Sequence, residues 1–385
     1  MTGILHVNDG DLASCVTCGL CLPHCPTYRV TGEESASPRG RIAAMRAVQW
    51  RDGPVDDEFV AFMDGCVQCR GCETACPSGV PFGRLMEGTR DAIAPRLTSR
   101  LERLGYRILG HHRLVLAGST VLAVAQRCGI VPKRLGLPRL PLRQPRLHPS
   151  GEDVTLFTGC VMDAWQRDVH GAAQRVIEAT GTTVAISGAT APCCGALHVH
   201  AGLTAQARKL AERVMRALPG DAPVLVDSAG CGAVLKDYGH LLGTAEAARF
   251  AARVKDVHEW LAERVDRLPR LATRTGALVA VQDPCHLRHV QHAHQAVRTV
   301  LSPYVELVEL DDEGLCCGAG GAYAARHQEI SGAIRERKVA SIMRSGASIV
   351  ASANPGCAMH LAAAGLAVRH PCQIVADALG RPREA

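Results

Sequence analysis

At 385 residues the chain is long enough for two or three domains with cores of their own, so its 18 cysteines are not needed as disulfide staples; their tight clusters point to metal. The formal charge of +6 is unevenly spread: residues 96–147 hold eleven Lys or Arg against Glu102 alone, a net of +10, leaving −4 for the remainder. With aromatics at 3% of the chain and only Tyr106 in that segment to stack on a base, the composition argues against a nucleic-acid partner.

Residues 1–14 carry Asp9 and Asp11 and lack a basic stretch followed by an apolar one, so no secretory signal is read there and a reducing cytoplasm is expected. Two cysteine runs follow, Cys15-x-x-Cys18-x-x-Cys21-x-x-x-Cys25-Pro26 and Cys66-x-x-Cys69-x-x-Cys72-x-x-x-Cys76-Pro77. Three thiolates at this spacing can hold three irons of one 4Fe-4S cube from a single loop, and in two-cluster ferredoxins the fourth ligand comes from the opposite run. The expected ligand sets are therefore Cys15, Cys18, Cys21 and Cys76 for one cluster, and Cys66, Cys69, Cys72 and Cys25 for the other. Gly19 and Gly71 are expected to supply the backbone freedom the loops need, and Pro26 and Pro77 to fix the exits. Zinc is the competing reading, but zinc ribbons present separated Cys-x-x-Cys pairs. Apolar spacing in 41–50 and 59–63 fits short helices, which predicts a mostly helical two-cluster module over 1–95.

From Leu97, the residues Leu97, Leu101, Leu104 and Ile108 recur at helical spacing, with Arg96, Arg100, Arg103 and Arg107 one place earlier. An amphipathic helix with a basic stripe is predicted. The apolar stretch 114–125 is twelve residues long, against roughly 20 needed to span a bilayer, so no membrane span is expected. Pro132, Pro138, Pro141, Pro145 and Pro149 then mark a linker, and 96–150 reads as a basic helical segment and Pro-rich connection.

Beyond the linker the chain repeats. Cys160, Cys193-Cys194-Gly195 and Cys231 recur as Cys285, Cys316-Cys317-Gly318 and Cys357 at offsets of 125, 123 and 126 residues, defining repeats over 151–270 and 271–385. Strands are predicted at 154–157, 223–226, 277–281 and 347–351, each just before a cysteine, with helices at 168–180 and 205–218. The fold class expected is α+β multidomain: an α-helical two-cluster ferredoxin domain, then a duplicated α/β cysteine-rich domain, with the cysteines beyond the carboxyl ends of the strands. Adjacent cysteines bridge each other only under strain, so Cys160, Cys193, Cys194 and Cys231, and likewise Cys285, Cys316, Cys317 and Cys357, are candidate ligands of further iron-sulfur clusters; buried cysteines acting as small hydrophobes are the plainer alternative.

Taken together, these residues resemble the glycolate oxidase (glycolate dehydrogenase) iron-sulfur subunit family. The resemblance runs through Cys25-Pro26-Thr27-Tyr28, Pro38-Arg39-Gly40-Arg41-Ile42, Cys76-Pro77-Ser78-Gly79-Val80, both Cys-Cys-Gly motifs, Ser228-Ala229-Gly230-Cys231-Gly232 and Asn354-Pro355-Gly356-Cys357. It implies an electron-transfer subunit, with substrate oxidation and FAD on a partner flavoprotein, glycolate going to glyoxylate, and membrane quinone as acceptor. A location in the cytoplasm, peripheral on the membrane's inner face, goes with that role. The wider superfamily includes subunits of D-lactate and glycerol-3-phosphate dehydrogenases and of heterodisulfide reductase. Some heterodisulfide reductases carry a further cysteine three residues after the last in each half. Here those positions are Val234 and His360, a departure from the five-cysteine cluster and from direct disulfide reduction.

Other features weigh less. His286, His289, His292 and His294 spread around a helix at their spacing and read as solvated or capping residues. Gly318-Ala319-Gly320-Gly321 lacks the spacing and the preceding strand of a dinucleotide loop. No nucleophile, base and orienting group stand at recognisable spacing, so no catalytic residue is assigned. Docking of the flavoprotein, contact with anionic lipid and simple solvation are three readings of the basic segment. A thiol-disulfide reductase and a zinc-stabilised interaction protein remain the competing functions.

Overall fold

A computed structural model describes residues 4–132, 137–312 and 314–380. Lys133 and Arg134 of the basic segment, and the outermost residues of the first and last predicted domains, lie outside the described residues. The chain forms two compact units, each assembled from separated stretches: Met1–Tyr106 with Ala196–Ala207 and Leu315–Lys338, and the rest, Arg107–Gly195 with Arg208–Gly314 and Val339–Ala385. These units do not follow contiguous sequence segments, because a piece of each cysteine-rich repeat packs within the first unit.

The first unit is helical. Ser37 caps the Pro38–Arg51 helix by accepting from the Gly40 N–H at 3.0 Å, with Pro38 at the first turn where its missing donor costs nothing. Asp56 caps the Asp57–Asp64 helix through the Phe59 N–H at 2.8 Å. These helices and the Phe82–Leu97 helix close on a core that includes Ile42, Met45, Met63, Leu85 and Met86, together with Cys66 and Cys72. Two ligand-run cysteines are thus part of the apolar interior.

The second unit holds two four-stranded parallel sheets. Strands β1 (Val154–Phe157), β2 (Val184–Ile186), β3 (Val224–Val226) and β4 (Val254–Asp256) lie in the order β2-β1-β3-β4. Strands β5 (Leu278–Gln282), β6 (Glu306–Val308), β7 (Ile349–Ser352) and β8 (Val368–Arg369) repeat it as β6-β5-β7-β8. The internal repeat is therefore a repeat of topology. Helix packing follows the same symmetry: Arg167–Glu178 of the first repeat packs on Pro371–Leu379 of the second, and His294–Leu301 of the second on Val257–Ala262 of the first. One core runs through both halves, from Leu156 and Val176 to Val281 and Val375. The architecture is a mixed one of helices and parallel sheet, with the helices that carry both ligand runs first in the chain and the two sheet repeats after them.

Two local expectations change. The helix read from Leu97 onward is two helices, since Phe82–Leu97 ends at Thr98 and Arg100–Leu109 begins anew, with Glu102 and Ser99 bonding each other's backbone at its start. The histidine cluster does not lie on one regular helix. His286–Val290 is a π-helical turn, His292 has φ 54°, and a fresh helix begins at His294.

Candidate iron-sulfur centres

Each ligand run folds through two left-handed residues flanking its second cysteine: Thr17 (φ 58°) and Gly19 (φ 85°) around Cys18, Gln68 (φ 58°) and Arg70 (φ 60°) around Cys69. Alternating handedness turns successive backbone N–H groups to one side, making a concavity suited to anionic sulfur. The Gln68 N–H reaches Cys66 Sγ at 3.4 Å. The counterpart of Gly19 is Arg70, not Gly71, which instead opens the Gly71–Thr74 helix. A non-glycine residue here costs on the order of 1 kcal/mol, and Arg70 is held in place by Glu73 at 2.8 Å.

The fold brings the last cysteine of each run to the other run. Cys15, Cys18, Cys21 and Cys76 line one cavity together with Cys72, Arg39 and Phe82. Cys25 lies near Cys69 and Cys72: burial pushes the Cys72 thiol well up, and the charges of Cys69, Cys66 and Cys25 push the same way. Burial likewise raises Cys25, against the Arg41 charge and a 3.2 Å hydrogen bond with the Thr27 hydroxyl. The first four thiols share a cavity and the second four are electrostatic neighbours, and four thiolates are the donor set a 4Fe-4S cluster takes.

Two buried guanidinium groups surround the second run. Arg41, 1% exposed, donates to the carbonyls of Phe62 and Ala36. Arg90, 6% exposed, donates to the carbonyls of Met63, Asp64, Cys66 and His200. Arg41 also donates to the Thr27 hydroxyl at 3.4 Å; a buried cation whose hydrogen bonds go to neutral groups calls for a nearby anion, and a cluster held by four thiolates is one. Sequence reading missed both arginines, although Arg41 stood inside the quoted Pro-Arg-Gly-Arg-Ile stretch; an arginine on the apolar side of a predicted helix was the available signal.

Within the same unit, the Cys69 thiol is held below its ordinary value, first of all by a hydrogen bond with Cys316. Gly318 makes that approach feasible: at φ 90° it turns its N–H onto Cys316 Sγ at 3.3 Å, and a Cβ there would meet Ser331 O at 2.7 Å. Arg326 and His327 of the same stretch reach Asp64 at 3.0 and 3.1 Å.

The second unit gathers the first repeat's four cysteines. Cys160 follows β1, Cys193 and Cys194 follow β2 through a short 3-10 turn, and Cys231 follows β3, so all emerge beyond the carboxyl ends of neighbouring strands. Cys160 and Cys193 sulfurs are 3.5 Å apart. Hydrogen bonding with Cys193 raises Cys160 well above its ordinary value, and bonds with Cys193 and Cys231 do the same for Cys194. The fully buried Tyr238 donates to the Cys194 carbonyl at 2.9 Å. Asn354 then joins the two repeats: its Oδ1 accepts from the Gly230 N–H at 3.1 Å, and its Nδ2 lies 3.5 Å from Cys357 Sγ. Cys285 follows β5 as Cys160 follows β1, and Cys357 follows β7 as Cys231 follows β3. At the two departures from the heterodisulfide reductase pattern, Val234 is buried and His360 is half-buried.

Three regions of the chain match two known families: residues 11–80 a 4Fe-4S dicluster domain, and residues 154–236 and 279–362 a cysteine-rich domain. The chain is 32% identical to a probable glycolate oxidase iron-sulfur subunit of Bacillus subtilis, covering 92% of this chain and 89% of that protein. It is 31% identical to the glycolate oxidase iron-sulfur subunit of Escherichia coli, covering 96% and 95%. The chain belongs to the glycolate oxidase iron-sulfur subunit family. This iron-sulfur subunit is also 29% identical to one of the subunits of a dihydromethanophenazine:CoB--CoM heterodisulfide reductase from Methanosarcina mazei, over 96% of this chain and 94% of that one. Its relatives are thus subunits of oxidoreductases.

Two cysteines stand outside the motifs. Cys128 is exposed. Cys372 is buried with His258 and His370, three ligand-type atoms lying within 4.8 Å of one another. Their bonds close without an ion: His258 Nδ1 meets Asp256 at 2.8 Å and its Nε2 meets Cys372 Sγ at 3.7 Å. His370 takes the Cys372 N–H at 3.2 Å and donates to the Asp227 carbonyl at 3.0 Å. His258 stands at the start of Val257–Ala262 in the first repeat, and His370 and Cys372 at the start of the equivalent helix Pro371–Leu379 in the second, so the cluster joins the two repeats.

Proposed function

We propose that this subunit carries electrons in a glycolate dehydrogenase, taking them from an FAD-bearing partner that oxidises glycolate to glyoxylate and passing them towards membrane quinone. The observation that carries the reading is the grouping of thiols in the first unit: Cys76 lines a cavity with Cys15, Cys18 and Cys21, Cys25 lies near Cys69 and Cys72, and Cys69 meets Cys316. Cys15, Cys18, Cys21 and Cys76 would hold one cluster, and Cys66, Cys69, Cys72 and Cys25 the other. When bound, such clusters supply one-electron storage at a potential set by charge and by hydrogen bonds to sulfur. The chain's own part is to hold that charge: Arg41 and Arg90 oppose it from buried positions, while Thr27 and the Gln68 N–H bond to the sulfurs. Glycolate as substrate is supported by the names of the two relatives quoted first. In this reading the chain works in the cytoplasm, peripheral to the membrane; no single helix among the described residues is long and apolar enough to cross one.

Cys160, Cys193, Cys194 and Cys231, with Cys285, Cys316, Cys317 and Cys357, would hold further clusters. A second reading, thiol-disulfide reduction at these cysteines, draws on the likeness to the Methanosarcina heterodisulfide reductase. The deciding experiment is anaerobic co-purification with the flavoprotein partner and dye reduction with glycolate, D-lactate and glycerol 3-phosphate. Glycolate is expected to be fastest. Activity with none of the three overturns the hydroxy-acid reading, and disulfide reduction by the isolated chain, lost in Cys193→Ala, favours the second.

A further inference from the structure

The helices Arg100–Leu109 and His112–Arg127 reverse the usual rule that a helix turns its apolar stripe inward. In the first, Leu101, Leu104 and Ile108 are 78%, 52% and 39% exposed, and Tyr106 is its buried side chain. The second packs His112, Val115 and Ala123, yet leaves Leu114, Val121 and Val124 at 53%, 69% and 49% exposed along another side. Among the described residues, nine of the fourteen exposed large hydrophobics fall between Leu101 and Leu142. Scattered single apolar residues need no explanation, but such a concentration does.

Charge indicates what covers it. Arg100 and Arg107 on the first helix and Arg113 on the second are exposed, and Glu102 is the segment's one acid. A protein interface centres on aromatic anchors with a polar rim, whereas the exposed large side chains here are Leu, Ile and Val and the fringe is arginine. Aliphatic side chains flanked by cations fit the headgroup layer of an anionic leaflet, where each cation near the surface adds to binding. Neither helix is long enough to span, so each would lie in the interface.

We propose that the helices Arg100–Leu109 and His112–Arg127 each present a bilayer-docking face, their aliphatic side chains entering an anionic leaflet while Arg100, Arg107 and Arg113 meet lipid phosphate. The electron-transfer reading gives this docking a purpose, delivery to a membrane carrier, but the surface is argued from exposure and charge alone. The test is co-sedimentation of the full iron-loaded chain, under anaerobic conditions, with vesicles of phosphatidylcholine alone or with about one-third phosphatidylglycerol. The chain is expected to pellet with the anionic vesicles, about tenfold less with the neutral ones, and to be partly released by salt. Leu101→Asp and Val121→Asp are each expected to weaken pelleting about tenfold while iron content and melting temperature stay unchanged. Failure to pellet with either vesicle overturns the proposal, as does parental pelleting by both variants. So does normal pelleting by variants that no longer bind the flavoprotein partner, which would make the surface a protein interface. Since no glycolate or flavoprotein enters the sedimentation, its failure leaves the dye-reduction test of the proposed function standing.

Discussion

The two ligand runs share one spacing and one pair of left-handed turns but occupy different surroundings. In the first, Cys18 is exposed, Cys15 and Cys21 are half-buried, and the arginines beside it, Arg39 at the cavity and Arg46 on the Cys15 carbonyl at 2.6 Å, are half-buried. In the second, Cys66 and Cys72 belong to the hydrophobic core, Arg41 and Arg90 are buried beside them, and Cys69 meets Cys316. Identical chemistry in the sequence is thus set in a wetter and a drier environment. In the drier site burial opposes the added negative charge of reduction and the fixed Arg41 and Arg90 charges favour it, both more strongly than at a site facing water. The expectation is two clusters of separate potential, with the potential of the second resting on its buried arginines.

The largest effect should come from removing a core ligand. Cys72→Ser takes a thiolate from the interior and leaves a hydroxyl there; we expect insoluble or unfolded protein with little iron, because metal binding and folding are coupled at such a site. Cys18→Ser, at the exposed loop, should leave a folded chain that loses about half of the ferredoxin-type iron. Iron analysis and a thermal melt of both variants check this, and equal losses would erase the distinction between the runs.

Next comes Arg90→Met. Four carbonyls lose their donor and the second run loses a cation, so destabilisation of about 3–5 kcal/mol is expected. The potential of one cluster should fall by roughly tens of millivolts while the other holds. The matched change Arg39→Met should scarcely move either. Potentiometric titration followed by paramagnetic resonance separates the two signals. Cys316→Ser should have a smaller effect than Arg90→Met, altering only the cluster that Cys69 would ligate.

Much of this was legible in the residues, and what was not has physical causes. Cysteine spacing gave the runs and the repeat because ligand geometry is local. Strands were readable where Val154, Val224, Leu278 and Ile349 open continuous apolar runs, each followed a few residues later by a cysteine. β2, β4, β6 and β8 escaped, being two or three residues long and, in β4 and β8, carrying Lys255 and Arg369. Arg70 in a left-handed position could not be distinguished from its neighbour Gly71 by propensity, because the Glu73 contact that holds it forms only in the folded loop. Nor does periodicity say which way a stripe faces: Leu101, Leu104 and Ile108 have the spacing of a core-facing helix, and only the packed chain shows them bare.

The smallest effect concerns acid, at the exposed run. Arg39 donates to both carboxylate oxygens of Glu34, at 2.6 and 3.1 Å, and to the Thr17 carbonyl at 3.2 Å, so it ties the first ligand loop to the 3-10 turn Glu34–Ala36. The Arg39 hydrogen bonds hold Glu34 below the usual carboxylate range. A carboxylate lowered in the folded state contributes stability that is fully present above its unfolded pKa and is lost as pH falls through the folded one. Acidification through that range should therefore loosen the first loop while the second, whose buried arginines rest on backbone carbonyls that do not titrate, stays closed. Because the pair is solvated, the effect is small and weakened by salt. Iron release to a chelator, followed from neutral pH downward, should show an early phase that Glu34→Gln shifts to higher pH and Cys18→Ser abolishes. A single phase in the parent chain, unaltered by Glu34→Gln, would mean that the two runs open together and that their different surroundings do not govern their lability.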